Sequence, residues 1–155
     1  MNRSDSFNKF KAALEKSRVK VSLVAAYFIR KGYNVQSIAP VIPETPSDCQ
    51  ADNGDLTAWK SDGVRHVIEV KGYNDYSTEM LMEFPHILLD KKTTFDKKET
   101  RPFLYFIVGN DTDYALMFRV SNWDKCTIHI HKDQMTGNMD DCYVAEPKHF
   151  TRIKL

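Results

Sequence analysis

Two strand-forming runs joined by Ser61-Asp62-Gly63 constrain this chain more than any other segment, because a short hairpin loop decides which side chains share a face. Asp55 to Lys60 alternates enough to read as one strand, and Val64 to Lys71, rich in β-branched residues, reads as the next. A three-residue loop with Gly63 at the position needing positive φ pairs Lys60 with Val64, Trp59 with Arg65, Thr57 with Val67 and Asp55 with Glu69. Directly opposed side chains have Cβ atoms about 4.5–5.5 Å apart, so two carboxylates there repel, and a bound cation is the simplest way to offset the repulsion. Lys71 follows Glu69 by two residues and falls on the same face, diagonal to Asp55. A two-residue loop would instead turn Asp55 to the wrong side of its neighbour strand.

The segments around the hairpin can be placed by period and punctuation. Ser4 or Asp5 caps a first helix with Phe7, Phe10, Leu14 and Val21 on its buried face. Val21 to Lys31 continues as a helix that is apolar over most of its circumference; whether Ser17 to Lys20 breaks it stays open. Gly32 terminates the helix, Tyr33 to Ile38 alternates as a strand, and Pro40 to Asn53, with three prolines, is a loop into the hairpin. Tyr76 to Lys92 carries Met80, Leu81, Phe84, Ile87 and Leu88 at helical spacing, in a helix that Pro85 bends or shortens. Phe103 to Val108 is a buried strand ended by Gly109-Asn110, Tyr114 to Val120 and Cys126 to His131 are further strands, and the tail from Tyr143 is mixed. Without repeats or low-complexity tracts, residues 1–155 read as a single domain, α+β or α/β by periodicity alone.

Composition excludes several function classes. With 42% hydrophobic residues the chain is not of the disordered type, and a net charge of +1 argues against broad coating of nucleic acid, although a local basic groove beside an acidic site would cancel in that sum. Cys49, Cys126 and Cys142 are an odd number at no metal-ligand spacing, which fits reduced thiols in a cytoplasmic setting. No signal peptide or long apolar run is present, so no membrane association is expected. His129 and His131 share one strand face, but Cys126 points to the other, so zinc is disfavoured. Neither a Gly-rich phosphate loop nor a nucleophile elbow occurs.

Asp55, the fourteen-residue step to Glu69, and Glu69-Val70-Lys71 closing an apolar strand resemble the signature of the PD-(D/E)XK nuclease superfamily. Gly54 stands where that signature has its proline. The (Asp/Glu)-x-Lys pattern occurs four times, at Glu69/Lys71, Asp90/Lys92, Asp96/Lys98 and Glu146/Lys148, but only the first sits in an apolar strand with an acid upstream on a pairing strand. The order helix, strand, hairpin, helix, strand is similar to the family core over the first two thirds of the chain. The resemblance implies a three-layer α/β/α restriction-endonuclease-like core around a central mixed β-sheet. It also implies a small single-domain, Mg²⁺-dependent endodeoxyribonuclease or resolvase-like protein in which Mn²⁺ substitutes for Mg²⁺. Asp55, Glu69 and the Val70 carbonyl would then hold the metal, which activates a water and polarises the phosphate, and Lys71 would orient the water or stabilise developing charge. Many members add an acid from the first helix. Glu15 is the candidate accessory acid here, with a solvent-facing helix residue as its plainer reading.

Substrate contacts would come from two basic runs, Lys9 to Lys20 and Lys91, Lys92, Lys97, Lys98 and Arg101, each of which also reads as a solvated surface. Tyr73 and Tyr76 either stack on bases or pack under the helix. DNA is favoured over RNA as partner, and a homodimer would suit two cuts in a duplex or branched substrate. The alternatives are a catalytically inactive nuclease-fold module binding nucleic acid or protein, and a surface hairpin with plain ion pairs.

Overall fold

A computed structural model describes residues 3–38, 54–133 and 137–155, apart from the side chains of 3–7 and 9–11. Helix α1 runs unbroken over Arg3–Arg30. The helix runs on through its polar stretch, where Ser17 and Ser22 donate to the Leu14 and Arg18 carbonyls of the preceding turn. Lys20, Val24 and Phe28, four residues apart, form the buried stripe, with Leu14 and Val21 half-buried beside it. The expected burial of Phe7 and Phe10 and the Ser4 or Asp5 cap concern side chains outside those described. Gly32, at φ +81°, reverses the chain so that the Tyr33 N–H reaches the Phe28 carbonyl at 3.0 Å.

The next three strands, β1 (Asn34–Ser37), β2 (Leu56–Trp59) and β3 (His66–Gly72), form an antiparallel meander. The proline-rich loop expected at 40–53 lies outside the described residues. After β3 the chain leaves the sheet for α2 (Thr78–Met82), β4 (Ile87–Lys91) and α3 (Lys92–Lys97), then returns as β5 (Leu104–Val108), parallel to β3. Strands β6 (Tyr114–Arg119) and β9 (Thr151–Lys154) complete a mixed sheet in the order β1-β2-β3-β5-β6-β9. Strands β7 (Thr127–Lys132) and β8 (Met139–Ala145) join β4 in a second, antiparallel sheet of order β4-β8-β7, so the tail is largely strand.

The single helix expected over 76–92 is replaced by a helix, a strand and another helix. Ser77 caps α2 by accepting from the Met80 N–H, but Pro85 cannot continue the helical bonding. Beyond it Ile87 and Leu89 bury at a period of two, as a strand requires. The mixed sheet therefore separates two cores. Val24 and Phe28 of α1 pack on Leu56, Ile68, Val70 and Phe106 on one face. On the other, Tyr105, Ile107 and Phe118 meet Leu81, Leu89 and Phe95 from the crossover. The chain is thus mixed α/β around a mixed sheet, and its second covering layer is a small sheet with short helices. No helix among the described residues is long and apolar enough to cross a membrane.

Candidate functional site

The hairpin adopts the register centred on Asp62: Leu56 pairs with Ile68, Thr57 with Val67 and Ala58 with His66. Gly63 has φ +74°, and its N–H returns to the Lys60 carbonyl at 2.9 Å while Asp62 Oδ1 accepts from Val64 N at 3.1 Å. The ladder is shorter than expected at both ends: the Lys60–Val64 and Trp59–Arg65 pairs are not rungs of it, and neither is Asp55–Glu69, because the Asp55 N–H shifts to the Ile68 carbonyl. Trp59 pairs with Asn34 of β1 instead, and the Arg65 guanidinium stacks on its ring, 4.3 Å from the centroid.

Ile68 and Val70 point into the α1 core, so Glu69 and Lys71 share the opposite face of β3, while Asp55, just ahead of β2, reaches them through the β3 main chain. Asp55 donates its N–H to the Ile68 carbonyl at 3.0 Å, and its Oδ2 accepts from Val70 N at 2.7 Å. Val67, by contrast, turns its carbonyl to β5, where it accepts from Phe103 N at 2.7 Å. Main-chain direction alternates along a strand, so the Val70 carbonyl, like its N–H, lies on the Asp55 edge. Gly54 has φ +95°, and a Cβ there would stand 2.5 Å from Val67 Cγ1. Proline, fixed near φ −65°, cannot adopt that backbone.

Glu69 is 1% exposed and is held at both oxygens, by Lys71 Nζ on Oε1 at 2.7 Å and by Lys98 Nζ on Oε2 at 3.0 Å. Asp90, at the end of β4, closes a ring of alternating charge. Its Oδ2 lies 3.6 Å from Lys98 Nζ and its Oδ1 3.9 Å from Lys71 Nζ. Tyr105 donates its hydroxyl to Asp90 Oδ2 at 3.0 Å, and the Lys91 N–H reaches Oδ1 at 3.0 Å. The repulsion that suggested a metal is therefore met in this structure by two ammonium groups.

No protein-family model matches this chain, and neither a curated protein nor a solved structure matches it.

Asp90 and Tyr105 were not singled out by the sequence reading, and Lys98 was assigned to the surface. A strand alternating regularly would bury Ile87 and Leu89 and turn Asp90 outward. The register shift between Leu88 and Asp90, opposite Val144 and Tyr143, turns it inward. Lys98 follows α3 at once, its N–H accepted by Phe95 O, and its side chain is fully buried. The available signal was the repeated (Asp/Glu)-x-Lys pattern itself, since Asp90 and Lys98 each belong to one of the copies set aside.

The other candidates are spread across the molecule. Lys98 is not a surface cation, Lys91 pairs with Asp133 and Asp140, and Lys92 pairs with Asp96 in its own helix. Arg101 lies over the Phe95 ring and, like Lys92, acts on Asp96, while Lys97 is exposed. Tyr73 packs under the second sheet with its hydroxyl on the Leu88 carbonyl at 3.2 Å, and burial pushes its pKa up to about 12. Tyr76 is exposed, with its ring edge-on to Phe84. Glu15 is exposed on α1. The residue α1 brings to the strand ends is Lys20, bonded to Asn74 Oδ1 at 2.8 Å and to the Val108 carbonyl at 3.3 Å. Burial lowers its pKa, against an opposing pull from Asp111 and Asp75. His129 of the candidate zinc pair stacks on His86, and among the described residues no three His, Cys, Asp or Glu side chains are grouped to hold a metal.

Proposed function

We propose that this chain is a metal-dependent nuclease of the PD-(D/E)XK type, most at home on DNA, that hydrolyses phosphodiester bonds with Mg²⁺ or Mn²⁺. The observation carrying this reading is the Glu69–Lys71 pair on one face of β3, with Asp55 clasping the Val70 main chain between them. The order of α1, a three-strand meander, a crossover and a parallel strand supports the same family resemblance and its restriction-endonuclease-like core. The donor set, two carboxylates and the Val70 carbonyl, is all oxygen and fits one hard divalent ion. Glu69 accommodates it by exchanging its Lys71 contact. When bound, the ion supplies an acidified water and charge neutralisation at the phosphate.

The protein's own groups do the rest. Asp55 is aimed by the Val70 N–H, and Lys98 fixes the Glu69 carboxylate from below. Lys71, 29% exposed at the side chain, is the ring member that reaches the solvent side, where its ammonium orients the attacking water or meets negative charge on the phosphate. A second reading, a nuclease-fold module that binds nucleic acid or a protein without cleaving, is favoured by the hold of two lysines on a buried Glu69. One experiment separates them. Supercoiled, linear, single-stranded and branched DNA, with RNA alongside, are incubated with Mg²⁺ or Mn²⁺ and wild type, Asp55→Ala or Lys71→Ala. Cleavage by wild type alone supports the nuclease; binding without cleavage supports the module; cleavage surviving both substitutions rejects the site.

A further inference from the structure

The Lys71 ammonium lies within ion-pair range of two carboxylates at once, 2.7 Å from Glu69 Oε1 and 3.9 Å from Asp90 Oδ1. The two differ in what a metal ion would ask of them. Glu69 stands on β3 between Ile68 and Val70, the two residues whose main chain Asp55 bonds, whereas Asp90 comes from the second sheet. Asp90 is 4% exposed, and its other oxygen is already fixed by Tyr105 and Lys98, so its Oδ1 is held toward Lys71. Lys98 is fully buried between the same two acids and has no solvent-side route, which leaves Lys71 as the movable cation of the ring.

On the nuclease reading above, we infer that Asp90 is the second station of Lys71. When a divalent cation enters between Asp55 and Glu69, Lys71 leaves Glu69 Oε1 and is received by Asp90 Oδ1, about an ångström nearer than it now stands. This removes the competitor from the metal ligand without stranding a lysine among carboxylates. It also re-aims the ammonium, because the ring corner moves from the hairpin strand toward β4. Asp90 is a positioning residue, acting on the metal site only through Lys71, and that dependence is the property to test.

Binding of Mn²⁺ to the full chain, measured by calorimetry and by loss of the free-ion paramagnetic resonance signal, gives the readout for a double-mutant cycle. Asp90→Asn should weaken Mn²⁺ binding about tenfold, the scale on which groups behind a metal ligand act. Lys71→Met should tighten it by removing the competitor. In the Lys71→Met background, Asp90→Asn should change affinity less than about twofold, since no lysine remains to be received. If the tenfold loss persists there, Asp90 acts only as a nearby negative charge and the inference falls. It falls equally if Asp90→Asn has no effect in wild type. Lys71→Gln supplies the same cycle should Lys71→Met not fold. Wild type that neither binds Mn²⁺ nor cleaves any substrate defeats the nuclease reading and this one together. Wild type that does both, with no coupling in the cycle, defeats this one alone.

Discussion

Replacing Lys98 by Met should be the most damaging single substitution in the site, though Lys98 touches no solvent. Its ammonium stands 3.0 Å from Glu69 Oε2 and 3.6 Å from Asp90 Oδ2, with both carboxylates nearly fully buried. At an effective dielectric constant of about 20, each contact is worth about 5 kcal/mol of Coulomb attraction. Desolvating the ammonium returns much of that sum. What the substitution leaves behind, however, is two buried carboxylates sharing one remaining lysine, and breaking a buried ion pair by removing one partner typically costs about 3–5 kcal/mol. Urea denaturation followed by tryptophan fluorescence, from Trp59 and from Trp123 stacked on Phe95 at 4.0 Å, reads this loss. With a slope of about 2 kcal/mol per molar, the midpoint should fall by about 2 M. The Glu69→Gln, Lys98→Met double variant should recover part of the loss, because no uncompensated charge remains on that arm. The surface pair Lys125–Asp124 has a shorter contact, 2.6 Å, but more than half of each side chain is exposed. Lys125→Met should leave the midpoint unmoved, so burial rather than contact distance sets the size of the effect. A Lys98→Met midpoint shift below about 0.5 M would refute the reasoning.

Two further outcomes are accessible with the same samples. Gly54→Ala should destabilise the fold by about 2 kcal/mol, from positive φ and the Val67 Cγ1 clash, and should displace the Asp55 backbone beside it; an unchanged thermal midpoint and intact cleavage would contradict both effects. Stability should also fall between about pH 10 and 12, because Tyr73 keeps its proton in the folded state up to about 12 whereas the unfolded chain loses it near 10. The folded state binds more protons in that window, so the slope is negative, at most about 1.4 kcal/mol per pH unit, and Tyr73→Phe should remove that part of it. An identical alkaline slope in the variant would show that another group is responsible.

The register of the hairpin was legible in the sequence because a turn residue fixes it, but the Asp55–Glu69 rung that would continue it is lost where the Asp55 N–H moves to the Ile68 carbonyl. Gly63 takes the positive φ its type suggests, and every rung from Leu56 to Ala58 follows from Asp62 as the centre. Asp90 and Lys98 were hidden for a different reason. Met80, Leu81, Phe84, Ile87 and Leu88 satisfy a helical period as well as they satisfy a short helix followed by a strand, and only Pro85 argued otherwise. Once that segment is assigned to one helix, the register shift that turns Asp90 inward cannot be anticipated. Lys98, in a run with Lys97 and Arg101, carries no local mark of burial; its partners lie on β3 and β4, and only tertiary docking joins them.

The ring of alternating charge also bears on how long the native state lasts. Asp55 and the Val70 N–H meet within the hairpin, but Lys98 reaches Glu69 across 29 residues and only after β4 and α3 have settled against the mixed sheet. A contact between segments that separately docked elements must bring together is expected to be weak in the folding transition state. Its strength then appears in the rate of unfolding far more than in the rate of folding. Lys98→Met should therefore raise the unfolding rate and leave the folding rate unchanged, a split that stopped-flow denaturant kinetics would read.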